Sequence, residues 1–289
     1  RNPAPGGMLV MGIPSYRLDR SALKGEIEVL EKMGVHFRMN TEVGKDVTIE
    51  ELRQQGYKGF YVAIGAQKSS KLGIPGEELK GVRGGVDFLR EVNLGKKPRI
   101  GKKCAVIGGG NVAMDVCRTA VRLGAETYVI YRRSEEEMPA RIEEVEHAKQ
   151  EGVRFLALHN PVEYVGDEKG RVSQVRLQVM TLGEPDASGR RSPVPVEGQI
   201  ETLDVDEVIV AIGVSPNPII PNSVQGLEIS RKGTIVTDDS LRAQFTDPKE
   251  SKVMFAGGDI VRGGATVILA MSDGRKAAAS MHAELSESR

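Results

Sequence analysis

Apolar positions along the chain fall into short runs that end at glycine and alternate with amphipathic stretches. From Gly101 onward, strands and helices are predicted in turn over Cys104–Ile107, Val112–Leu123, Thr127–Tyr131, Pro139–Gln150 and Val153–Leu158. Continuous apolar, β-branched runs are typical of strands that are buried on both faces of a parallel sheet. The βαβαβ order therefore predicts a parallel, doubly wound sheet.

The residues before this sheet predict shorter elements. An apolar face with helical spacing predicts a helix over Ser21–Met33, and the alternation in Val35–Met39 predicts a strand. The capping-box sequence Thr48–Glu51 predicts the start of a short helix. The apolar run Gly59–Ile64 predicts a further buried strand.

After these elements the pattern of apolar and polar residues changes. Alternating pieces such as Val172–Met180, separated by polar turns, predict an antiparallel meander inserted over 161–204. Buried strands are predicted at Val208–Ile212 and Val253–Ala256, followed by a long helix to about Leu285. The strand endings Ala-Ile-Gly at 63–65 and 211–213 resemble each other, which indicates two related nucleotide-binding domains.

Composition excludes several classes of protein. The 289 residues carry 40 basic and 40 acidic side chains, so no net charge attracts nucleic acid or anionic lipid. The apolar runs are far shorter than the ~20 residues of a membrane-spanning helix. No signal peptide opens the chain, and we expect a cytoplasmic protein with neither nucleic acid nor membrane as partner.

Cysteine and histidine positions argue against metal and thiol chemistry. The two cysteines, Cys104 and Cys117, lie in apolar patterns and are interpreted as buried small hydrophobes, not as a redox dithiol. The four histidines have no metal-ligand spacing. We therefore expect no metal site.

A glycine-rich turn follows the first strand of the parallel sheet. Gly108, Gly110 and Ala113 fit the G-x-G-x-x-G/A fingerprint of dinucleotide-binding turns. The first glycine permits a tight turn, the second leaves room for a pyrophosphate, and the third position packs helix on strand. The alternative is a plain structural turn, but the preceding strand and the following helix favour the dinucleotide site.

Two arginines end the next strand, where NAD-binding domains usually carry an acidic residue. Arg132 and Arg133 suit the 2′-phosphate of NADP(H). Alternatively, they are solvated charges paired with Glu135–Glu137. Arg141 is a further candidate for a two-arginine clamp on that phosphate, although the sequence does not fix the direction of its side chain.

A second glycine turn precedes the last helix. Gly258 and Asp259 follow the strand that ends at Ala256, and Asp259 has the position of a residue that binds a ribityl hydroxyl. The helix that starts near Ala265 would direct its positive end at the pyrimidine side of a flavin. The alternative is that Asp259 only forms a local turn.

These motifs resemble those of the small (beta) subunit of NADPH-dependent glutamate synthase and of the flavin module of dihydropyrimidine dehydrogenase. The resemblance runs through nearly the whole chain, over 6–18, 61–65, 106–115, 131–133, 138–140, 210–213, 255–259 and 265–267. It implies an α/β protein with two Rossmann-like FAD/NAD(P)-binding domains. We expect an NADP(H)-binding domain over 97–213 and a discontinuous FAD-binding-type domain over 1–96 and 214–289.

The resemblance also implies cofactor contacts and a reaction. FAD would contact Gly7, Met8, Arg17, Val43, Gly65, Gly258, Asp259, Ala265 and Thr266. NADPH would contact Gly108, Gly109, Gly110, Asn111, Val112, Ala113, Arg132, Arg133 and Gly213. In that family hydride passes from nicotinamide to flavin N5 without a catalytic side chain, and electrons leave through iron–sulfur clusters. The partner would be a large catalytic subunit or an iron–sulfur acceptor, and the pathway would be glutamate synthesis.

The chain departs from the family pattern before its first motif. The family's first strand–GxGxxG–helix and its cysteine-rich iron–sulfur segment are missing, and Asp19 stands where the family usually has proline. We therefore expect these residues to be part of a longer polypeptide. Two alternatives stay open, a non-catalytic NADP(H)-binding module and a flavin module that serves ferredoxin or a pyrimidine-reducing partner.

Overall fold

The computed structural model of the chain describes residues 1–187, 189–247 and 253–287, in which helices and strands alternate. The helices are α1 (Met8–Met11), α2 (Arg20–Lys32), α3 (Ile49–Gln54), α4 (Gly85–Asn93), α5 (Asn111–Arg122), α6 (Ile142–Gln150), α7 (Ile219–Ser223), α8 (Asp259–Arg262) and α9 (Val267–Glu287). The strands are β1 (Phe60–Val62), β2 (Lys68–Ser69), β3 (Val82–Gly84), β4 (Lys103–Ile107), β5 (Glu126–Tyr131), β6 (Arg154–Ala157), β7 (His159–Gly166), β8 (Val172–Pro185), β9 (Arg191–Asp204), β10 (Glu207–Val210), β11 (Val214–Ser215) and β12 (Met254–Ala256).

The chain divides into two units. The glycine-turn unit comprises Gly6–Lys32 and Ser69–Gly213. The second unit, which we call the terminal unit, comprises Arg1–Pro5, Met33–Lys68 and Val214–Arg289.

A five-stranded parallel sheet forms the centre of the glycine-turn unit, in the order β3-β10-β4-β5-β6. β4 is buried from Cys104 to Ile107, as a continuous apolar run predicts. One face of the sheet packs on α4, α5 and α6 through side chains such as Phe88, Met114 and Val145. The chain runs from β4 to β5 and β6 on one side of β4 and later returns to β10 on its other side. The carboxyl end of β4 therefore lies where the strand order reverses, which is where open α/β sheets bind ligands.

The antiparallel meander covers part of the other face of this sheet. β8 pairs with β7 and β9, and the β8–β9 hairpin has strands of 14 residues each. Tyr164, Val175 and Leu177 pack against Ala105, Ile107 and other inward side chains of the sheet. The meander predicted over 161–204 is therefore confirmed, and it extends two residues further towards the amino terminus.

The terminal unit has a smaller sheet, in which β1 pairs in parallel with β12. Its core joins these strands to α7 and α8 through Phe60, Ile220, Met254 and Ile260. α9 packs on the same strands through Ala277 and Met281, against Phe255.

Most predicted elements are confirmed within a few residues, including the capping box of α3, in which Thr48 and Glu51 satisfy each other's backbone amides. The strand predicted over Val35–Met39 is wrong. This segment is irregular, and Val35 and Phe37 are exposed. A strand needs a neighbour for its backbone hydrogen bonds, and none of the described strands pairs with it. The helix predicted from Pro139 begins only at Ile142.

The division into units differs from the predicted domain boundaries over 6–32 and 69–96. These residues join the glycine-turn unit because β3 pairs with β10, and because α1 and α4 pack together. The side chain of Asn93 on α4 donates to the carbonyl oxygens of Met11 and Ile13. Sequence periodicity does not report such contacts, since they join segments about 80 residues apart.

Candidate functional site

The glycine-rich turn lies at the carboxyl end of β4. The amide of Gly108 donates to the carbonyl oxygen of Ile130 in β5, and the amide of Ala211 donates to Ile107. The turn is thus held between β5 and the segment that follows β10. Gly213, another predicted nucleotide contact, lies two residues beyond Ala211 and has a φ of 133°, which favours glycine.

The space available for a Cβ differs among the three glycines of the turn. A Cβ at Gly108, where φ is 135°, would overlap the carbonyl oxygen of Ala211. A Cβ at Gly109 would lie 2.7 Å from the ring of Tyr131. At Gly110 the nearest atom would be Cγ of Pro139 at 4.0 Å, so packing inside the protein does not require glycine there.

The amino terminus of α5 has features of an anion site. Gly110 is its N-cap residue with extended backbone and no side-chain cap, and its first turn carries no acidic residue. The first amides of a helix have no intrahelical acceptor and carry a partial positive charge. Asn111 and Val112 open the helix, and Ala113 is fully buried against the sheet, as the fingerprint requires.

A second segment closes on this turn. The amide of Ala140 donates to the carbonyl oxygen of Gly109, at 3.1 Å. The amide of Arg141 donates to Oδ1 of Asn111, at 3.2 Å. The backbone therefore brings Arg141 beside the start of α5, and its exposed side chain has no ion-pair partner among the described residues.

The two arginines that follow β5 have opposite surroundings. The side chain of Arg132 is exposed and has no hydrogen bond or ion pair within the described part of the chain. The side chain of Arg133 is only 6% exposed, and its Nη2 lies 2.5 Å from Oδ2 of Asp186. Its Nε donates to the carbonyl oxygen of Arg191 at 2.7 Å and lies 3.8 Å from a carboxylate oxygen of Glu137. The alternative of pairing with Glu135–Glu137 thus applies to Arg133 through Glu137, although Arg133 is buried instead of solvated.

Arg17 contacts α5 and α6 of the same unit. Its guanidinium lies 2.7 Å from Oδ1 of Asp115 and 3.4 Å from Glu144. Burial raises the pKa of the Asp115 carboxyl to about 6, against the lowering effect of Arg17. Gly7 and Met8, the other predicted flavin contacts of this segment, begin α1, where Gly7 has a φ of 53°.

Sequence reasoning missed the acidic partners of Arg17. Asp115 is 6% exposed within the buried face of α5. A carboxylate at a buried helical position requires a partner, and that signal was present in the sequence.

In the terminal unit, Asp273 of α9 holds the second glycine turn. Its Oδ2 accepts from the amide of Gly258 at 2.9 Å, and the guanidinium of Arg262 donates to both of its oxygens. The side chain of Asp273 is only 2% exposed. Hydrogen bonds from Arg262 lower the pKa of this carboxyl, which keeps it ionised. Asp273 was not predicted from the sequence.

Asp259 and the start of α9 lie next to this turn. The amide of Ala265 donates to Oδ1 of Asp259 at 3.1 Å, and Oδ2 has no hydrogen-bond partner among the described residues. Burial raises the pKa of Asp259. Thr266 accepts from the amide of Leu269 and so caps α9.

The other two predicted flavin contacts of the terminal unit lie elsewhere on it. Gly65 follows β1 with a φ of 65°. Val43 packs at the edge of the core with Ile49 and Leu52.

Both cysteines are fully buried and free, as predicted. Burial raises the pKa of Cys104 well above its usual range and that of Cys117 to about 12. Such thiols are protonated and unreactive at neutral pH. Over the described ranges, no helix has the length and apolarity to cross a membrane, and no cluster of His, Cys, Asp or Glu side chains is placed to hold a metal ion.

A family model described as pyridine nucleotide-disulphide oxidoreductase matches residues 21–274. The chain is 45% identical to the beta subunit of the NADP(+)-dependent formate dehydrogenase of Moorella thermoacetica, over 96% of this chain and 39% of that protein. It is 36% identical to the NADPH glutamate synthase small chain of Escherichia coli, over 96% of this chain and 61% of that protein. The chain thus spans about two fifths to three fifths of these relatives.

Among solved structures, FprA of Mycobacterium tuberculosis in complex with NADPH has the same fold. The TM-score is 0.77 at 21% sequence identity, over 99% of this chain and 76% of FprA. The predicted fold class, α/β with Rossmann-like FAD/NAD(P)-binding domains and an antiparallel insertion, is confirmed.

Proposed function

The chain belongs to the pyridine nucleotide-disulphide oxidoreductase family, and on that premise we propose that it is a module that oxidises NADPH through bound FAD. The electrons then pass to iron–sulfur centres of a partner. This proposal extends the family assignment by the choice of coenzyme, the flavin and the acceptor.

The observation that carries the proposal is the open approach to Gly110. The protein itself leaves space for a Cβ there, so packing does not explain the glycine, and its place at the start of α5 suits the close approach of a pyrophosphate. The first turn of α5 begins directly after this glycine, and its uncapped amides would bind the pyrophosphate of a dinucleotide.

NADPH is proposed over NADH because the residue directly after β5, where NAD-binding domains usually carry a carboxylate, is an exposed arginine. Arg132 is exposed and unpaired among the described residues, as a ligand for a 2′-phosphate must be. The buried hydroxyl of Ser134 also has no hydrogen-bond partner in the described structure. An anion at this turn would satisfy both groups. The relatives named above use NADP or NADPH by their names, in line with this choice.

FAD is proposed for the second glycine turn, and the residues present fit it. The free Oδ2 of Asp259 can accept a hydrogen bond from a ribityl hydroxyl, and Asp273 fixes the amide of Gly258. The start of α9, with Ala265 and Thr266, would contact the flavin ring. FAD supplies a two-electron acceptor for hydride that can release its electrons singly.

The electron route proposed here involves no cysteine pair. Cys104 and Cys117 are the only cysteines, and both are buried, protonated thiols inside the glycine-turn unit. A flavin bound here would therefore have to pass its electrons to an acceptor other than these two thiols.

We propose a large catalytic subunit or an iron–sulfur protein as the partner, and glutamate synthesis as the reaction served. Two observations support a partner: the relatives are named as a beta subunit and a small chain. The motif order along the chain supports the glutamate synthase assignment. NADPH-dependent glutamate formation by the complete polypeptide with its partner would test it. Formate-dependent reduction of NADP⁺ in the same preparation would instead assign the chain to a formate dehydrogenase.

Anaerobic stopped-flow mixing of the complete polypeptide with either coenzyme tests the proposed activity. We expect a yellow protein whose absorbance near 450 nm is lost much faster with NADPH than with NADH. A colourless protein that still binds NADPH would overturn the enzyme proposal in favour of a non-catalytic binding module. Equal bleaching rates with both coenzymes would overturn the NADPH assignment.

A further inference from the structure

The antiparallel meander reaches the turn that follows β5. The hairpin of β8 and β9 is closed by Asp186, whose amide donates to the carbonyl oxygen of Arg190. From this hairpin end, Asp186 and the carbonyl oxygen of Arg191 both contact Arg133. These contacts join residues 53 and 58 positions apart in the sequence.

The guanidinium of Arg133 uses its hydrogen-bond donors within the protein. Its Nε and Nη2 donate to the hairpin, and the carboxylates of Asp186 and Glu137 offset its charge. Because the side chain is only 6% exposed, turning it towards a ligand would leave Asp186 without this cation. Although the Asp186 side chain is 31% exposed, the guanidinium is buried, so withdrawing it from these partners is unfavourable.

The neighbouring Arg132 has the opposite surroundings. Its side chain is exposed and has no partner among the described residues, so it can meet a ligand without breaking a contact. Ser134, the next residue but one, has a buried hydroxyl with no partner in the described structure. The two residues on either side of Arg133 are therefore the ones with unused hydrogen-bonding capacity.

We infer that Arg133 is a positioning residue, through which the β8–β9 hairpin holds the coenzyme-selecting turn while Arg132 reads the phosphate. This inference rests on the proposed function, and it refines the predicted two-arginine clamp by giving the inserted meander a role. The hairpin holds the turn through the contacts of Arg133, and Arg132 of the same turn is exposed to solvent.

Two single variants separate the two roles. Arg132→Ala removes the exposed cation, and we expect the affinity for NADPH to fall about 10- to 100-fold, as for loss of a charge-assisted hydrogen bond. The affinity for NADH and the Tm should be unchanged. Arg133→Ala removes the buried cation with its hydrogen bonds to the hairpin, and we expect the Tm to fall by about 5 °C or more. Binding of NADPH and NADH should weaken by similar factors, which leaves their ratio within about threefold of the original.

Asp186→Asn provides the decisive comparison, because it leaves both arginines in place. If Arg133 were a phosphate ligand restrained by Asp186, this change would free it and tighten the binding of NADPH. We expect instead a lower Tm, with an NADPH-to-NADH affinity ratio that stays within about threefold. Asp186→Asn therefore tests the inference even if Arg133→Ala fails to fold.

The binding constants would be measured on the complete polypeptide by isothermal titration with NADP⁺ and NAD⁺, which differ by the same 2′-phosphate as NADPH and NADH but do not donate hydride. The same ratios are expected for them, and the Tm would be measured by differential scanning calorimetry. A selective loss of NADP⁺ binding in Arg133→Ala, with an unchanged Tm, would overturn the inference. Tighter NADP⁺ binding in Asp186→Asn would do the same. Failure of the original protein to bind either coenzyme would overturn the proposed function itself, and that outcome is distinguishable because it precedes any variant.

Discussion

Replacing Gly110 by alanine separates a glycine required by a ligand from a glycine required by the fold. Gly110 has a φ of −94° and a ψ of 177°, which is ordinary extended backbone for any residue. A Cβ there would approach no atom closer than 4.0 Å. Alanine lowers the entropy of the unfolded chain, which stabilises by about 0.4–1 kcal/mol. Its poorer N-cap propensity costs a similar amount, so the free energy of unfolding should change by less than about 1 kcal/mol.

The same methyl group would stand where a pyrophosphate approaches the amides of α5. A hydrogen bond to a charged group contributes about 1.5–3 kcal/mol, so loss of one such bond weakens NADPH binding about 10- to 150-fold. Titration of the Gly110→Ala variant with NADPH, together with its Tm, measures both quantities. Gly25→Ala in α2 is the control, since a Cβ at Gly25 would meet nothing within 4 Å and would likewise cause no overlap. Unchanged NADPH binding by a folded Gly110→Ala variant would show that no pyrophosphate approaches this residue.

The backbone and side chains that hold the two glycine turns, and the buried carboxyl of α5, can each be tested by one substitution. Gly108→Ala should lower the Tm by several degrees, because φ is positive and the methyl group would overlap the carbonyl oxygen of Ala211; a Tm unchanged in calorimetry would contradict this. Asp115, with a pKa of about 6, keeps a proton in the folded state that the unfolded chain has lost, so its contribution to stability falls by about 3 kcal/mol as the pH rises from 4 to above 6. Denaturant titrations of the original protein and of Asp115→Asn at each pH should show this slope only in the original. Asp273→Asn should loosen the turn at 257–259 and weaken FAD binding about tenfold in fluorescence titrations, and equal FAD affinity would remove its positioning role.

The sequence predicted the glycine-turn unit well because its signals are local. The buried run of β4, the glycines and the amphipathic α5 are contiguous, so strand, turn and helix each follow from their own residues. The predicted start of α6, which follows β5, was less accurate. Residues 135–137 form a short 3₁₀ turn, and α6 begins only at Ile142.

The contacts that give single residues their roles were not predictable in the same way. Arg133 pairs with Asp186 across 53 residues, and Arg17 pairs with Asp115 across 98. Two adjacent arginines look alike in the sequence, but the fold buries one and exposes the other. At Val35–Met39 the sequence pattern was misleading. Its alternation is typical of a strand, but the described structure offers it no neighbouring strand, and the segment is irregular.

A crystal structure of the complete polypeptide with NADP⁺ bound would locate the coenzyme directly. We expect the pyrophosphate at the amides of residues 110–112 and the 2′-phosphate against Arg132, with Arg133 still paired with Asp186. A coenzyme bound elsewhere, or a 2′-phosphate without a cation from the turn after β5, would contradict this expectation.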